Sequence, residues 1–129
     1  MKFIIACTIF ALSFAPKIAL GQKTYSIKRM ESSLEGKELK VTYKTGAIKI
    51  VINESANKVS IVDTSSPFDN ILKITYATNA EKPNSHIRCY LCITAPSDGS
   101  HSVTVYVNQV SRHILFKYIK SNDTLDFTY

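Results

Sequence analysis

The sequence predicts an all-β domain, an antiparallel meander of eight or nine strands that forms a small barrel or a sandwich. Two observations carry this prediction. Apolar and polar residues alternate with a period of two along most of the chain, and turn-forming residues interrupt the alternation at short intervals. Every second residue of a strand lies on the same face, so each alternating stretch offers one face to a core and one to solvent. Many short strands separated by turns are typical of barrels and sandwiches.

Nine stretches of the chain carry the alternation, and turn residues separate them. Thr45 and Gly46 predict a hairpin between the second and third stretches, because glycine tolerates the positive φ of hairpin turns. Glu54–Asn57 predicts the next hairpin, which makes a three-stranded meander, and the polar stretch Glu31–Lys37 is predicted to be a linker. The predicted strands are residues 25–29, 39–43, 47–52, 59–61, 72–76, 87–93, 103–107, 114–118 and 125–129.

One stretch near the end of the chain fits two structures. Val110, Ile114, Leu115 and Ile119 have the spacing of an amphipathic helix, so a short helix near residues 109–120 is one interpretation. Ile114 also continues a strand pattern, and the β-branched and aromatic content of the stretch favours the strand. The strand is the preferred prediction because the neighbouring stretches are strands.

The first 21 residues have the pattern of a secretory signal peptide. An apolar run of 13 residues extends from Phe3 to Ala15. This run has the length of a signal-peptide core and is shorter than the roughly 20 residues that cross a bilayer as a helix. Ala19 and Gly21 are the small residues expected before a cut after Gly21. The sequence therefore predicts a cleaved leader, residues 1–21, a single secreted or periplasmic domain, residues 22–129, and no membrane span after cleavage.

The net charge of the chain does not identify a class of binding partner. The formal net charge is +6, and losing Lys2 and Lys17 with the leader leaves 14 of the 16 basic residues against 10 acidic ones, a net charge of +4. The basic residues are dispersed, whereas nucleic-acid-binding proteins more often carry a clustered basic stripe interleaved with aromatic residues. We therefore expect no nucleic-acid partner.

Cys89 and Cys92 are the only cysteines that remain after leader removal, and His86 lies just upstream. Three interpretations stay open: buried free thiols, a local disulfide, or a redox or metal site. Residues three apart in a strand point to opposite faces with Cα atoms about 10 Å apart, and a disulfide needs them within about 7 Å. The preferred interpretation is that Cys89 faces the core and Cys92 the opposite side, with no metal site and no cofactor.

Other candidate residues are scattered. His101 and His113 have serine neighbours without a catalytic motif, and we expect His101 to lie in a solvated loop and His113 to be exposed at a strand start. Asp63 and Asp69 bracket a loop that is an ion-binding candidate. In a eukaryotic source, the tripeptides that begin at two asparagines would be glycosylation acceptors in turns. These asparagines are Asn53 and Asn122.

Tyr90 and Tyr106 are the candidate binding residues, because hairpin-paired strands would place both rings on an exposed face or in a barrel lining. The expected function is therefore that of an exported, non-catalytic binding domain. Its partner is either a small apolar ligand or an extracellular or periplasmic protein or glycan. One alternative is a secreted redox or metal-handling protein that uses Cys89 and Cys92, and the other is a small hydrolase whose site carries no known motif.

Overall fold

The computed structural model describes residues 22–66, 70–79 and 86–129. In these ranges ten antiparallel strands form one curled half-barrel sheet, which confirms the all-β prediction. The predicted leader lies outside the described residues. The strands are β1 (Gln22–Ser26), β2 (Arg29–Leu34), β3 (Lys37–Thr42), β4 (Ile48–Asn53), β5 (Lys58–Asp63), β6 (Asn70–Asn79), β7 (Ile87–Ile93), β8 (Ser102–Asn108), β9 (His113–Tyr118) and β10 (Thr124–Thr128).

The sheet curls because one segment of chain takes part in both of its halves. The strand order is β1-β4-β5-β6-β7-β8-β9-β10-β2-β3, so β1 and β2 are far apart in the sheet although only Ile27 and Lys28 separate them in sequence. The amide of Ile27 donates to the carbonyl of Ile48 at 2.9 Å, and the amide of Lys28 donates to the carbonyl of Thr128 at 2.8 Å. These two residues therefore hold β4 and β10 to the same short connection.

The predicted linker at residues 31–37 is wrong, because most of it belongs to strand β2. This strand pairs with β10 on one side and with β3 on the other. Glu35 and Gly36 form the tight turn between β2 and β3 with φ values of 51° and 78°. Two consecutive positive φ angles are typical of a type I′ hairpin. The sequence of β2 looks like a linker because its only fully buried residue is Ser32.

The predicted hairpin at Thr45–Gly46 is also wrong in its pairing. Gly46 does adopt a positive φ of 80°, and the amide of Ala47 donates to the carbonyl of Lys44 at 3.0 Å, so a turn exists. However, β3 pairs with β2 and β4 pairs with β1. The turn therefore shifts the chain between two strands that are not paired with each other. The next hairpin is as predicted, since β4 and β5 pair along their full length.

The ambiguous stretch near the end of the chain is a strand. β9 occupies His113–Tyr118 and a turn precedes it, so the alternative of a helix near residues 109–120 is wrong. In the described ranges the helical structure is one 3₁₀ turn at Pro96–Asp98, in the connection between β7 and β8. No helix within those ranges is long and apolar enough to cross a membrane.

The core fills the concave side of the sheet. The rings of Phe116 and Phe127 meet edge to face with centroids 5.4 Å apart, a favoured geometry for aromatic pairs. The other buried apolar side chains surround them and come from most of the strands. They are Ile27, Ile48, Ile50, Ile52, Val59, Leu72, Ile74, Tyr90, Cys92, Val103, Val105, Val107 and Ile114.

Candidate functional site

A cavity of about 330 Å³ lies at one end of the half-barrel, which we call the open end. Its apolar lining comes from four strands: Ile61 of β5, Ile71 and Leu72 of β6, Tyr118 of β9 and Leu125 of β10. Leu72 is buried, Ile71 is exposed, and the other three side chains are half-buried. These residues continue the apolar core outward, so the core surface remains accessible to a small molecule at this end.

Polar groups from the β7–β8 connection form one rim of the cavity. Thr94, Asp98 and His101 line it from this side, and Asn70 lines it from the start of β6. The amide of Thr94 donates to the carbonyl of His101 at 2.9 Å, and the amide of His101 donates to Oγ1 of Thr94 at 2.8 Å. These two hydrogen bonds fix the backbone on both sides of the 3₁₀ turn, so the rim is held in a defined position.

The imidazole of His101 rests on Gly99. A Cβ atom at Gly99 would lie 2.9 Å from Nε2 of His101, closer than side chains normally approach. Gly99 also adopts a φ of 92°, which favours glycine. The backbone of the turn therefore favours glycine here, and an added Cβ would also displace the exposed His101 ring from its position.

Tyr118 separates the cavity from a second depression of about 400 Å³. Both spaces are lined by Tyr118 and His101, and Ser102, Lys120 and Ser121 complete the second. Burial raises the pKa of the Tyr118 hydroxyl, and the carboxylates of Asp123 and then Asp98 raise it further. The neutral hydroxyl can therefore donate or accept a hydrogen bond at the boundary between the two spaces.

The opposite end, which we call the closed end, is covered by polar side chains that bond to each other. Nε of Arg88 donates to Oε1 of Glu54 at 3.0 Å, and its Nη1 donates to Oδ1 of Asn79 at 3.3 Å. The same guanidinium lies 5.8 Å from the ring centroid of Tyr90, whose side chain is buried. Burial raises the pKa of the Tyr90 hydroxyl, and the nearby carboxylate of Glu54 adds to the effect.

An aromatic pair extends this cover. The ring centroids of Tyr25 and Tyr129 lie 4.7 Å apart. The guanidinium of Arg112 lies 5.2 Å from the Tyr129 ring centroid, and its Nε donates to the Tyr129 carbonyl at 3.0 Å. The hydroxyl of Tyr129 donates to the carbonyl of Asn108 at 3.3 Å. The polar and aromatic groups at the closed end thus form hydrogen bonds and ring contacts with one another.

A third space lies on the convex side of the sheet and contains His113. Nδ1 of His113 is 2.9 Å from Oδ1 of Asp126, and both side chains are about one-third exposed. They share a depression of about 320 Å³, the outer depression, with Ser111. The sequence singled out His113 and its serine neighbour, which is Ser111, but not Asp126. Asp126 reaches the histidine through the pairing of β9 with β10, and this register cannot be read from a single chain. The outer depression is also lined by Ile87, Tyr106, Asn108 and Leu115.

The two cysteines are free thiols on opposite faces of β7, as the strand geometry predicts, but the faces are the reverse of those expected. Cys92 points into the core beside Tyr90, and Cys89 lies on the convex side. Burial raises the pKa of both thiols, that of Cys92 to about 12. Redox-active thiols need a lowered pKa, so this environment opposes thiolate chemistry.

The two candidate binding tyrosines do not share a face. Tyr90 pairs with Val105 and is buried in the core, whereas Tyr106 pairs with Cys89 and is half-buried on the convex side. Tyr90 lines the interior next to the closed end. Tyr106 lines the outer depression. The structure therefore gives them separate surroundings.

The remaining candidates lie in turns. Two hydrogen bonds from Ser65 lower the pKa of Asp63, and Asp69 lies outside the described residues. Oδ1 of Asn53 accepts hydrogen bonds from the turn that follows β4, at 2.8 and 3.1 Å. Asn122 lies between β9 and β10 with a φ of 59°. His101, expected to be merely solvated, is exposed but stands at the cavity rim.

Within the described parts of the chain, no group of three or more His, Cys, Asp or Glu side chains is placed to hold a metal ion. Comparison with protein-family models, with curated proteins and with solved structures found no match to this chain.

Proposed function

We propose that this protein is an exported binding protein that takes up a small, largely apolar molecule with one polar end. The cavity at the open end carries the proposal. Ligand sites are typically concave, mostly apolar and equipped with a few fixed polar groups. Five apolar side chains line the cavity here, and the rim offers the His101 imidazole and the Asp98 carboxylate.

The size of the cavity limits the ligand. A volume of about 330 Å³ is near the lower limit of the roughly 300–1,000 Å³ that small-molecule sites occupy. A single ring system or a short alkyl chain fits this space, and a long-chain lipid does not. The two hydrogen bonds between Thr94 and His101 hold the backbone of the rim, so this backbone loses little conformational freedom when a ligand binds.

Export is part of the same proposal and rests on the leader pattern of residues 1–21. We expect the mature protein to begin at Gln22, with the domain outside the cytoplasm. N-terminal sequencing of the protein recovered from fractionated cells checks this expectation. An intact N-terminus on the fractionated protein would contradict it.

The binding proposal is tested by titrating the mature protein with indole, phenol and 1-hexanol while recording amide NMR spectra. We expect at least one of these probes to shift the amides of Leu72, His101 and Tyr118. Leu125→Trp, which fills the cavity, should abolish the shifts. Leu91→Trp is the matched control, because Leu91 is 43% exposed on the convex side. Shifts that survive Leu125→Trp, or no shifts at the open end with any probe, would overturn the proposal.

The outer depression favours a second candidate, ester hydrolysis. The 2.9 Å contact between His113 and Asp126 orients the imidazole and leaves Nε2 free to act as a base. In this scheme Nε2 accepts a proton from water as the water oxygen attacks the ester carbonyl carbon. The proton then passes to the departing alkoxide, which leaves as the alcohol, and the acid remains.

This second candidate is tested with p-nitrophenyl acetate. His113→Gln and Asp126→Asn should each lower the rate of hydrolysis at least about tenfold if the dyad supplies a general base. His86→Gln is the control for ordinary surface histidine reactivity, since His86 is exposed and is not part of the dyad. Equal rates in the parent and in His113→Gln would exclude the candidate.

A further inference from the structure

Strand β3 is an edge of the sheet with its hydrogen-bonding groups exposed. Among the described residues it pairs only with β2. The amide of Tyr43 donates to the carbonyl of Lys28 at 2.9 Å, so odd-numbered residues of this strand direct their backbone groups toward β2. By the alternation of antiparallel strands, Glu38, Lys40 and Thr42 direct theirs outward. A further antiparallel strand can therefore pair with these groups.

The side chains of β3 are unusual for a solvated edge. Leu39 is 56% exposed, and Leu34, the last residue of β2 before the turn, is 44% exposed. Glu38 and Lys40 lie on the other face of the strand and are also exposed. Charged residues on an edge normally hinder strand addition, unless the incoming strand presents the opposite charges in register.

We propose that β3 pairs with β3 of a second copy of this chain, antiparallel, about a two-fold axis through Leu39. The charge pattern carries this choice. In this register Glu38 of each copy lies directly opposite Lys40 of the other, so two oppositely charged pairs form. Registers centred on Glu38 or on Lys40 place like charges opposite each other, which is unfavourable.

The backbone geometry permits this register. Residues that face outward must oppose one another to exchange hydrogen bonds, and pairing Glu38 with Lys40 of the second copy meets this condition on both sides of the axis. Leu39 then opposes Leu39 at a position without backbone bonds, where side chains come closest. The exposed leucine is thereby covered by its own copy, in the isologous arrangement that two-fold dimers require.

The pairing is testable by complementary charge reversal. Glu38→Lys alone places two lysines opposite each other in both symmetric pairs, and Lys40→Glu alone places two glutamates opposite each other. Each variant should raise the dimer Kd by about tenfold or more, because both pairs become repulsive. A one-to-one mixture of the two variants should dimerise as well as the parent, because every pair is again oppositely charged.

Sedimentation equilibrium from micromolar to millimolar protein measures these constants. The mixture is its own control for folding, since it contains the same two proteins that fail separately. A second measurement uses the unmodified chain: the amides of Glu38 and Lys40 should exchange with deuterium more slowly as the protein concentration rises. A parent that stays monomeric to millimolar concentration would overturn the proposal. So would a dimer that Glu38→Lys leaves unchanged, or a mixture that does not reassociate.

Discussion

The two ends of the half-barrel differ in how the apolar core is covered. At the closed end, Arg88 bonds to Glu54 and Asn79 and lies against Tyr90, so polar atoms meet polar atoms above the core. At the open end, Leu125 and Tyr118 remain half-buried around a cavity, and the polar groups stay at its rim. The polar groups of the closed end therefore form their contacts within the protein itself.

This difference separates stability from binding along a single sheet. Polar groups that already bond to each other have few donors and acceptors left for a ligand. Covering apolar surface that is in contact with water lowers the free energy, so such surface favours the binding of an apolar molecule. We therefore expect mutations near the closed end to lower mainly the stability of the fold, and mutations at the open end to lower mainly the affinity for a ligand.

The largest expected difference is between two aliphatic residues on neighbouring strands. Ile114 is fully buried near the closed end, and Ile114→Ala should cost about 2–5 kcal/mol of unfolding free energy. Leu125 is half-buried at the cavity, and Leu125→Ala should cost about 1 kcal/mol because less apolar surface leaves a packed environment. Urea unfolding of both variants measures the two costs. Equal costs would show that the open end is as well packed as the closed end.

Alkaline pH should destabilise the fold through the buried thiol between the two ends. The Cys92 thiol has a pKa of about 12 in the folded protein, raised by burial and by the nearby Cys89, against 9.0 for an unperturbed thiol. Below pH 9 both states keep the proton; above it only the unfolded state releases it, so stability is lost as the pH rises toward 12. The loss is at most about 1.4 kcal/mol per pH unit.

Urea unfolding at a series of pH values from about 8 to about 11 measures this slope. Cys92→Ala should flatten it more than Cys89→Ala, because Cys92 is the more deeply buried thiol. An unchanged slope in Cys92→Ala would mean that water entering from the open end already solvates this part of the interior.

Gly99 and Gly46 offer a matched pair of substitutions. Both have a positive φ, of 92° and 80°, so an alanine at either position should cost about 1 kcal/mol of stability through backbone strain. Only at Gly99 would the added Cβ press on a side chain, the imidazole of His101. Gly99→Ala should therefore also weaken probe binding severalfold, and Gly46→Ala should leave it unchanged. Isothermal titration calorimetry, with the probe that shifts the amides at the open end, measures the affinity of both variants. Equal affinities would show that His101 is not part of the site.

The smallest expected effect concerns the ion pair of the closed end. Arg88 and Glu54 are about one-third exposed, so Glu54→Gln should cost less than about 1 kcal/mol, and less still at high salt. Glu31→Gln is the control, because its contact with Arg29 is longer, 3.6 Å, and more exposed. Thermal unfolding at low and high salt measures both. A cost that salt does not reduce would indicate that packing against Tyr90 matters more than charge.

The alternation of side chains predicts most strands, because one face of each strand meets the core. It fails at β2, where the only fully buried residue is Ser32 and Met30 is the one apolar side chain that packs against the core. It also misassigns the faces of β7, whose convex side carries Ile87, Leu91 and Ile93. Both sides of that strand are apolar, so only the neighbouring strands decide which one is buried.

The candidate site was harder to predict than the fold. His101 could be placed in a loop, but its position at a cavity depends on Leu125 and Ile61, which come from distant parts of the sequence. The contact between His113 and Asp126 has the same origin. Cavities and cross-strand contacts follow from the register between strands, and a single sequence without an alignment does not determine that register.

The connection at Ile27 and Lys28 has a consequence for how the chain folds. Arg29 pairs with Thr128, so β2 can complete its pairing only after β10 has been synthesised. Such distant pairing slows folding and cannot begin before β10 has been synthesised. Until then β2 and β9 both present unpaired edges, which can join other chains. A nascent or truncated chain that lacks β10 is therefore the form most exposed to aggregation, and it is the form that a chaperone would have to protect.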